Sequence, residues 1–298
     1  MDDIYLDHNA STPLLAAVWE AMSPYFTEVA ANPASSHRAG RRARQALENA
    51  REQTAALLDA FADEVIFTSG ATEANNLALF GLAGPPPGHL LVSPIEHPCV
   101  LEPVRRLAGS GFTLDLLPVD ERGIVAPAVL SERLRDDTRL VSVMLANHET
   151  GAIQPLAQLT AALDGRAPLH CDAAAAAGKI PVRFHELGAT TLTISAHKFH
   201  GPKGVGALLV RRHTKLQPQL WGGHQQQGRR PGTEPVPLAV GLATALALAT
   251  AEAESRRRHV ERLRCLFLER LRAEAAPVVL NGPAEDGIPH TLNLSFPG

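Results

Sequence analysis

Short apolar runs rich in Val, Ile and Leu recur along this chain, and between them apolar residues return at helical spacing. The runs Val65–Thr68, His89–Ser93, Thr113–Val119, Arg139–Ala146, Pro168–Cys171, Thr190–Ile194 and Val205–Arg211 predict strands. Arg38–Leu58, Thr72–Leu82, Cys99–Ala108, Pro127–Leu134 and Ala157–Leu163 predict helices between them. Strand and helix in alternation specify an α/β domain, a mainly parallel sheet wrapped by helices. The uncharged run Pro235–Ala251 is rich in Ala and carries Pro235 and Pro237, so it reads as a buried helix rather than a membrane span.

From Glu252 to Ala275 the pattern becomes one long charged helix, in which Arg256, Arg257 and Arg258 interleave with glutamates as a solvated face. A strand, Thr291–Phe296, follows. One strand and one helix have too little to pack against. The division expected is therefore a large domain over 13–250, with 1–12 and 251–298 forming a small α+β domain cut short at its C-terminal side.

At 298 residues and 45% hydrophobic, the chain can bury a sizeable core. A net charge of −3 gives no reason to expect nucleic acid or an anionic membrane as partner. The start, Met1-Asp2-Asp3-Ile4, lacks the basic and apolar regions of a signal peptide. Three scattered cysteines, Cys99, Cys171 and Cys265, suggest neither a disulfide framework nor a zinc site, and a cytoplasmic setting fits them.

The chemistry gathers where strands end. Lys198 lies just past a β-branched strand, in Ser195-Ala196-His197-Lys198-Phe199-His200-Gly201. A lysine kept dry by packing stays close to neutral, as Schiff-base chemistry with an aldehyde cofactor requires. Asp172 ends another strand, and a carboxylate beside a lysine suits pyridoxal phosphate, one partner for the ring nitrogen and one for the aldehyde. Thr68-Ser69-Gly70-Ala71-Thr72 joins a strand to a helix and offers a phosphate cradle of N–H and hydroxyl groups. His97 and Asn147 follow two further strands, placed to stack on a ring and to donate to its hydroxyl. The glycine-rich stretch Gly222–Glu234 is an ordered loop whose Arg and Thr groups can meet a phosphate. Taken singly, each of these is equally a cap, a surface residue or a solvated loop; together they converge at the carboxyl edge of an open α/β sheet.

In that order the motifs resemble the cysteine desulfurases of the class V aminotransferase group, enzymes of the fold-type I pyridoxal-phosphate architecture. The likeness runs through Tyr5–Pro13, Asn32–His37, Phe67–Leu77, Glu96-His97, Asn147–Gln154, His170–Asp172, Gly178–Pro181, Ser195–Gly206 and Gly222–Glu234. The resemblance implies that Lys198 binds pyridoxal 5'-phosphate covalently and moves the substrate's α-proton, with His97 stacked on the ring and Asp172 on its nitrogen. It implies Asn147 at the ring hydroxyl, and Ala71 (by its backbone), Thr72, Ser195 and His197 on the phosphate. Thr233 would reach the phosphate of a neighbouring subunit, hence a homodimer. The implied reaction converts L-cysteine to L-alanine, its sulfur passing as persulfide to an acceptor or scaffold protein for iron–sulfur clusters or tRNA thiolation.

Two departures stand out. Ala175 occupies the place of a glutamine usual in the family, a loss of one hydrogen bond worth about 1 kcal/mol. The family's sulfur-accepting cysteine and carboxylate-binding arginine lie beyond the last strand, past Gly298. Each of the three cysteines present reads as structural. Alternatives are therefore a class V lyase or aminotransferase acting by β-elimination or transamination, and a non-catalytic dimer partner or scaffold.

Overall fold

The computed structural model describes residues 4–297. Seven strands form the main sheet: β1 (Val65–Thr68), β2 (Gly88–Val92), β3 (Phe112–Leu116), β4 (Thr138–Ser142), β5 (Leu169–Asp172), β6 (Thr191–Ser195) and β7 (Gly206–Val210). Their spatial order is β1-β7-β6-β5-β4-β2-β3. All neighbours pair parallel except β7, which runs antiparallel to both β1 and β6. Every residue of β1, β2, β5, β6 and β7 is buried, which is why their sequences read as continuous apolar runs.

Helices Arg38–Leu57 and Val236–Ala251 pack on one another against the largest apolar cluster, which includes Phe67, Leu145, Leu192, Leu209 and Leu246. The uncharged run at 236–251 is thus a core helix, with Ala239, Leu242, Ala245 and Leu246 all buried. Among the described residues no single helix is long and apolar enough to cross a membrane.

Two predicted strands end early. Beyond Ser142 the Val143 and Leu145 N–H groups still donate to the His170 and Asp172 carbonyls, and the chain then closes a tight turn in which Asn147 N–H donates to the Ala152 carbonyl (2.8 Å). After Leu116 it turns instead, and Val119 pairs with Val125 in an isolated bridge. The C-terminal part holds two strands rather than the one expected: β8 (Val279–Asn281) pairs antiparallel with β9 (Asn293–Ser295). The missed strand is only three residues long, too brief for period-2 alternation to declare itself. The long helix, Ala253–Ala275, buries none of its residues.

Two glycines fit the sheet to its site. Gly70, at φ +153°, takes a backbone conformation that only glycine adopts readily. A Cβ on Gly206 would lie 2.6 Å from the Ile194 carbonyl oxygen and 2.8 Å from Gly70 Cα. The first residue of β7 therefore has to be glycine for the turn after β1 to lie against it.

Candidate active site

A cavity of about 930 Å³ opens where β1, β5 and β6 end. Lys198 lines it from the short 3-10 turn Ala196–Lys198 that follows β6. Its Nζ donates to the Asn9 carbonyl, and burial pushes its ammonium below the ordinary lysine value despite the opposing pull of Asp172 and Asp7. A buried lysine with a lowered pKa in a cleft is a ready nucleophile and base.

Asp172, 4% exposed, faces the same cavity from β5. Its Oδ1 accepts the Ala174 N–H (2.9 Å) and its Oδ2 accepts a proton of Asn75 Nδ2 (2.7 Å). Behind it lies a second carboxyl, Glu96, whose Oε1 accepts the Met144 N–H while Oε2 has no partner. Burial, reinforced by Asp172, pushes Glu96 well above the usual carboxylate range.

The turn Thr68–Gly70 delivers the helix Ala71–Ala83, whose first N–H groups have no intrahelical acceptor. Ser69, Ala71, Thr72, Ser195 and His197 line the cavity around that helix start, a set of N–H and hydroxyl donors suited to an anion. His197 Nδ1 lies 3.3 Å from Ser11 Oγ, and burial together with the nearby Lys198 lowers its pKa. His97 caps the next helix, Pro98–Ala108: its Nδ1 accepts the Cys99 N–H (3.1 Å), which leaves the proton on Nε2. The His97 ring lies 5.5 Å from that of His148, both on the cavity wall.

Lys198, His97, Asp172, Ala71, Thr72, Ser195 and His197 are therefore brought together. Asn147 and Thr233 are not among the residues lining this cavity. Asn147, 3% exposed, spends its amide on the turn: Nδ2 donates to the Ile95 carbonyl (2.9 Å), and Oδ1 accepts the N–H groups of Glu149 (3.0 Å) and Thr150 (2.8 Å). Thr233 is exposed on its loop. The expectation that the loop's arginines meet a phosphate fails for Arg230, which pairs with Glu73 at 2.7 Å and is neutralised there. That pair pins the loop to the helix that opens the cradle. Gln226 pins it again: its Oε1 accepts from Arg51 Nη1 (2.8 Å) and from the Phe67 N–H of β1 (3.1 Å).

Asp7, Asn9, Ala10, Ser11, Thr291 and Cys99 also line the cavity, Cys99 against the expectation of a purely structural thiol. Cys99 Sγ sits 2.9 Å from His97 Nδ1, 3.1 Å from Asn75 Nδ2 and 3.8 Å from Asp172 Oδ2. Burial and the Asp172 charge push its thiol up to about 12, so it is protonated at neutral pH. Its spacing two residues after His97 was the available signal, but only the fold sets Asp172 opposite. Cys171 is fully buried and likewise pushed up, and Cys265 is exposed on the long helix. Among the described residues no group of three or more His, Cys, Asp or Glu is arranged to hold a metal ion.

The chain matches the family described as aminotransferase class-V over residues 4–298. It is 43% identical over 298 residues to the cysteine desulfurase IscS of Dictyoglomus turgidum, an overlap that takes in 99% of this chain and 76% of that protein. A solved NifS-like protein superposes with a TM-score of 0.95 at 37% identity, over 98% of this chain and 81% of the other. DndA from Streptomyces lividans does so with a TM-score of 0.87 at 41% identity, over 98% and 84% respectively. Agreement in sequence along nearly the whole chain, on a backbone shared with these structures, establishes that the chain belongs to the class-V aminotransferase family.

Proposed function

We propose that this protein is a pyridoxal 5'-phosphate-dependent cysteine desulfurase that takes L-cysteine to L-alanine and hands on the sulfur as a persulfide. The observation that carries the reading is a half-buried lysine amine, a buried carboxylate and a helix N-terminus opening on one cavity. The cofactor fits these residues. The cavity falls within the roughly 300–1,000 Å³ typical of small-molecule sites. The donor set at Ser69–Thr72, Ser195 and His197 suits a phosphate, and Asp172 suits a protonated ring nitrogen. Ala175 offers that wall a methyl group only.

When bound, the cofactor supplies an aldehyde carbon that condenses with amines and a protonated ring that withdraws electrons. The chain supplies the rest. Lys198 Nζ, its pKa lowered by burial, takes the proton from the substrate's Cα as general base. Asp172 would face the ring nitrogen with a carboxylate held in place by the Ala174 and Asn75 donors. His97, whose Nδ1 caps its own helix, would cover the ring face from the cavity wall and present Nε2 to the site. Thr233, exposed on a loop anchored to the cradle helix, suits contact with the phosphate of a second subunit in a homodimer. The free thiols suit a reducing cytoplasm.

One observation favours a second reading. The cavity's thiol among the described residues, Cys99, is protonated and a poor sulfur acceptor. The same early steps would then end in β-elimination, giving pyruvate and sulfide. Incubating the cofactor-loaded protein with L-cysteine and quantifying alanine, pyruvate and sulfide separates the two. Alanine that disappears on Lys198→Ala supports the desulfurase, pyruvate supports the lyase, and neither product from a protein that has taken up the cofactor sinks both.

A further inference from the structure

Asp172 is the visible end of a buried chain of side chains. Asn75 Nδ2 donates to Asp172 Oδ2 (2.7 Å), and Asn75 Oδ1 meets His170 Nε2 (3.1 Å). His170 Nδ1 meets Thr191 Oγ1 (2.9 Å). Asn75, His170 and Thr191 are each 0% exposed, and they come from the helix Ala71–Ala83, β5 and β6 respectively.

The direction of each hydrogen bond follows from its neighbour. A carboxylate only accepts, so Asn75 must present its NH2 to Asp172 and its oxygen to His170. That oxygen only accepts, so His170 must carry its proton on Nε2. Complete burial lowers His170 to about 3, so the ring is neutral, and its bare Nδ1 must accept the Thr191 hydroxyl proton. Turning the Asn75 amide over would set oxygen against oxygen at Asp172 and N–H against N–H at His170. One orientation of one amide therefore satisfies every polar atom in the row.

We propose that Asn75, His170 and Thr191 are positioning residues, a one-way donor relay that holds the Asp172 carboxylate fixed in its plane at the cavity wall. The relay acts on the cofactor only through Asp172, and to that extent it rests on the function proposed above. It also accounts for His170, a histidine with no access to the cavity and no other partner: it sets the direction of the row. A merely space-filling core would need the volume of these side chains but not the order of their protons.

The tautomer of His170 can be measured without cofactor or turnover. In protein labelled with 15N-histidine, the His170 ring nitrogens should report a neutral Nε2–H form that persists as pH falls through the range where ordinary histidines charge. The Nδ1–H form, or a ring that charges with the others, overturns the relay. Affinity for pyridoxal 5'-phosphate, read by fluorescence quenching, supplies the second readout. His170→Leu leaves the Asn75 oxygen unpaired and should weaken binding roughly tenfold, whereas His170→Gln, which keeps a donor, should stay within about threefold. Equal affinity of the Leu variant and the parent overturns the relay. Should His170→Leu fail to fold, Thr191→Val removes only the outermost hydroxyl; the Nε2–H signal should persist, because the Asn75 oxygen sets it, and a switch to the Nδ1–H form counts against the proposal. A parent protein that binds no cofactor refutes the proposed function instead, and the tautomer measurement still decides the relay.

Discussion

Asp172→Asn keeps the shape of the side chain and removes its charge, so it separates what the carboxylate does for the fold from what it does for chemistry. In the parent, both oxygens accept from buried donors: the Ala174 N–H at 2.9 Å and the Asn75 amide at 2.7 Å. An asparagine has one oxygen and one NH2, so one of those donors would face another donor with no water to relieve it. A buried group left unpaired in this way costs about 1–3 kcal/mol. In proteins somewhat smaller than this one each kcal/mol lowers Tm by about 2–4 °C, which sets the scale for thermal unfolding of the cofactor-free variant. Turnover should suffer more, because no anion remains to hold a proton on the ring nitrogen; a fall of about a hundredfold or greater in alanine release from L-cysteine is expected, measured with cofactor in excess. A variant that melts with the parent and turns over within about threefold of it would refute the reasoning, since neither the two donors nor the charge would then matter at the size such groups usually have.

Two further outcomes follow from buried or exposed groups elsewhere. Lys179 has a buried Nζ without a hydrogen-bond partner and, chiefly through burial, a pKa lowered to about 8. Between that value and its ordinary one the unfolded chain binds more protons, so the penalty is full below about pH 8 and shrinks as pH rises. Lys179→Met should therefore stabilise by on the order of 1–3 kcal/mol at neutral pH, with the gain fading above pH 8 in urea titrations; a gain constant with pH would count against burial of the charge as its source. Iodoacetamide at neutral pH should alkylate exposed Cys265 readily and leave Cys99 almost untouched by peptide mass mapping, and rapid labelling of Cys99 would mean its thiol is far more acidic than its surroundings dictate.

Much of this site was legible because chemistry and strand ends coincide in the sequence. Asp172 follows a short apolar run and Lys198 a β-branched one, and the paired strands β5 and β6 carry them to one edge. The reversed direction of β7 did not show in its composition, because Val205–Arg211 is buried on both faces and reads alike either way. Its signal lay in the connection: residues 196–205 fall short of the dozen or so that a parallel crossover needs. Asn75 and Cys99 escaped because each lies on a helix face that periodicity assigns to the core, and only the assembled sheet puts Asp172 in front of them. Asn147 misled for the opposite reason. Its place after a strand was right, but a side-chain amide beside a glycine turn is first consumed by the backbone around it.

The insertion of β7 between β1 and β6 sets a timetable for the nascent chain. Phosphate cradle and lysine hang on strands that never touch each other directly; the piece that joins them is made after both. A ribosome-bound intermediate ending before Gly206 would carry Lys198, Asp172, His97 and the residues of the helix start, and still lack the register that aligns them. Competence should thus arrive abruptly during synthesis rather than strand by strand, and until then the two open edges would be exposed to mispairing.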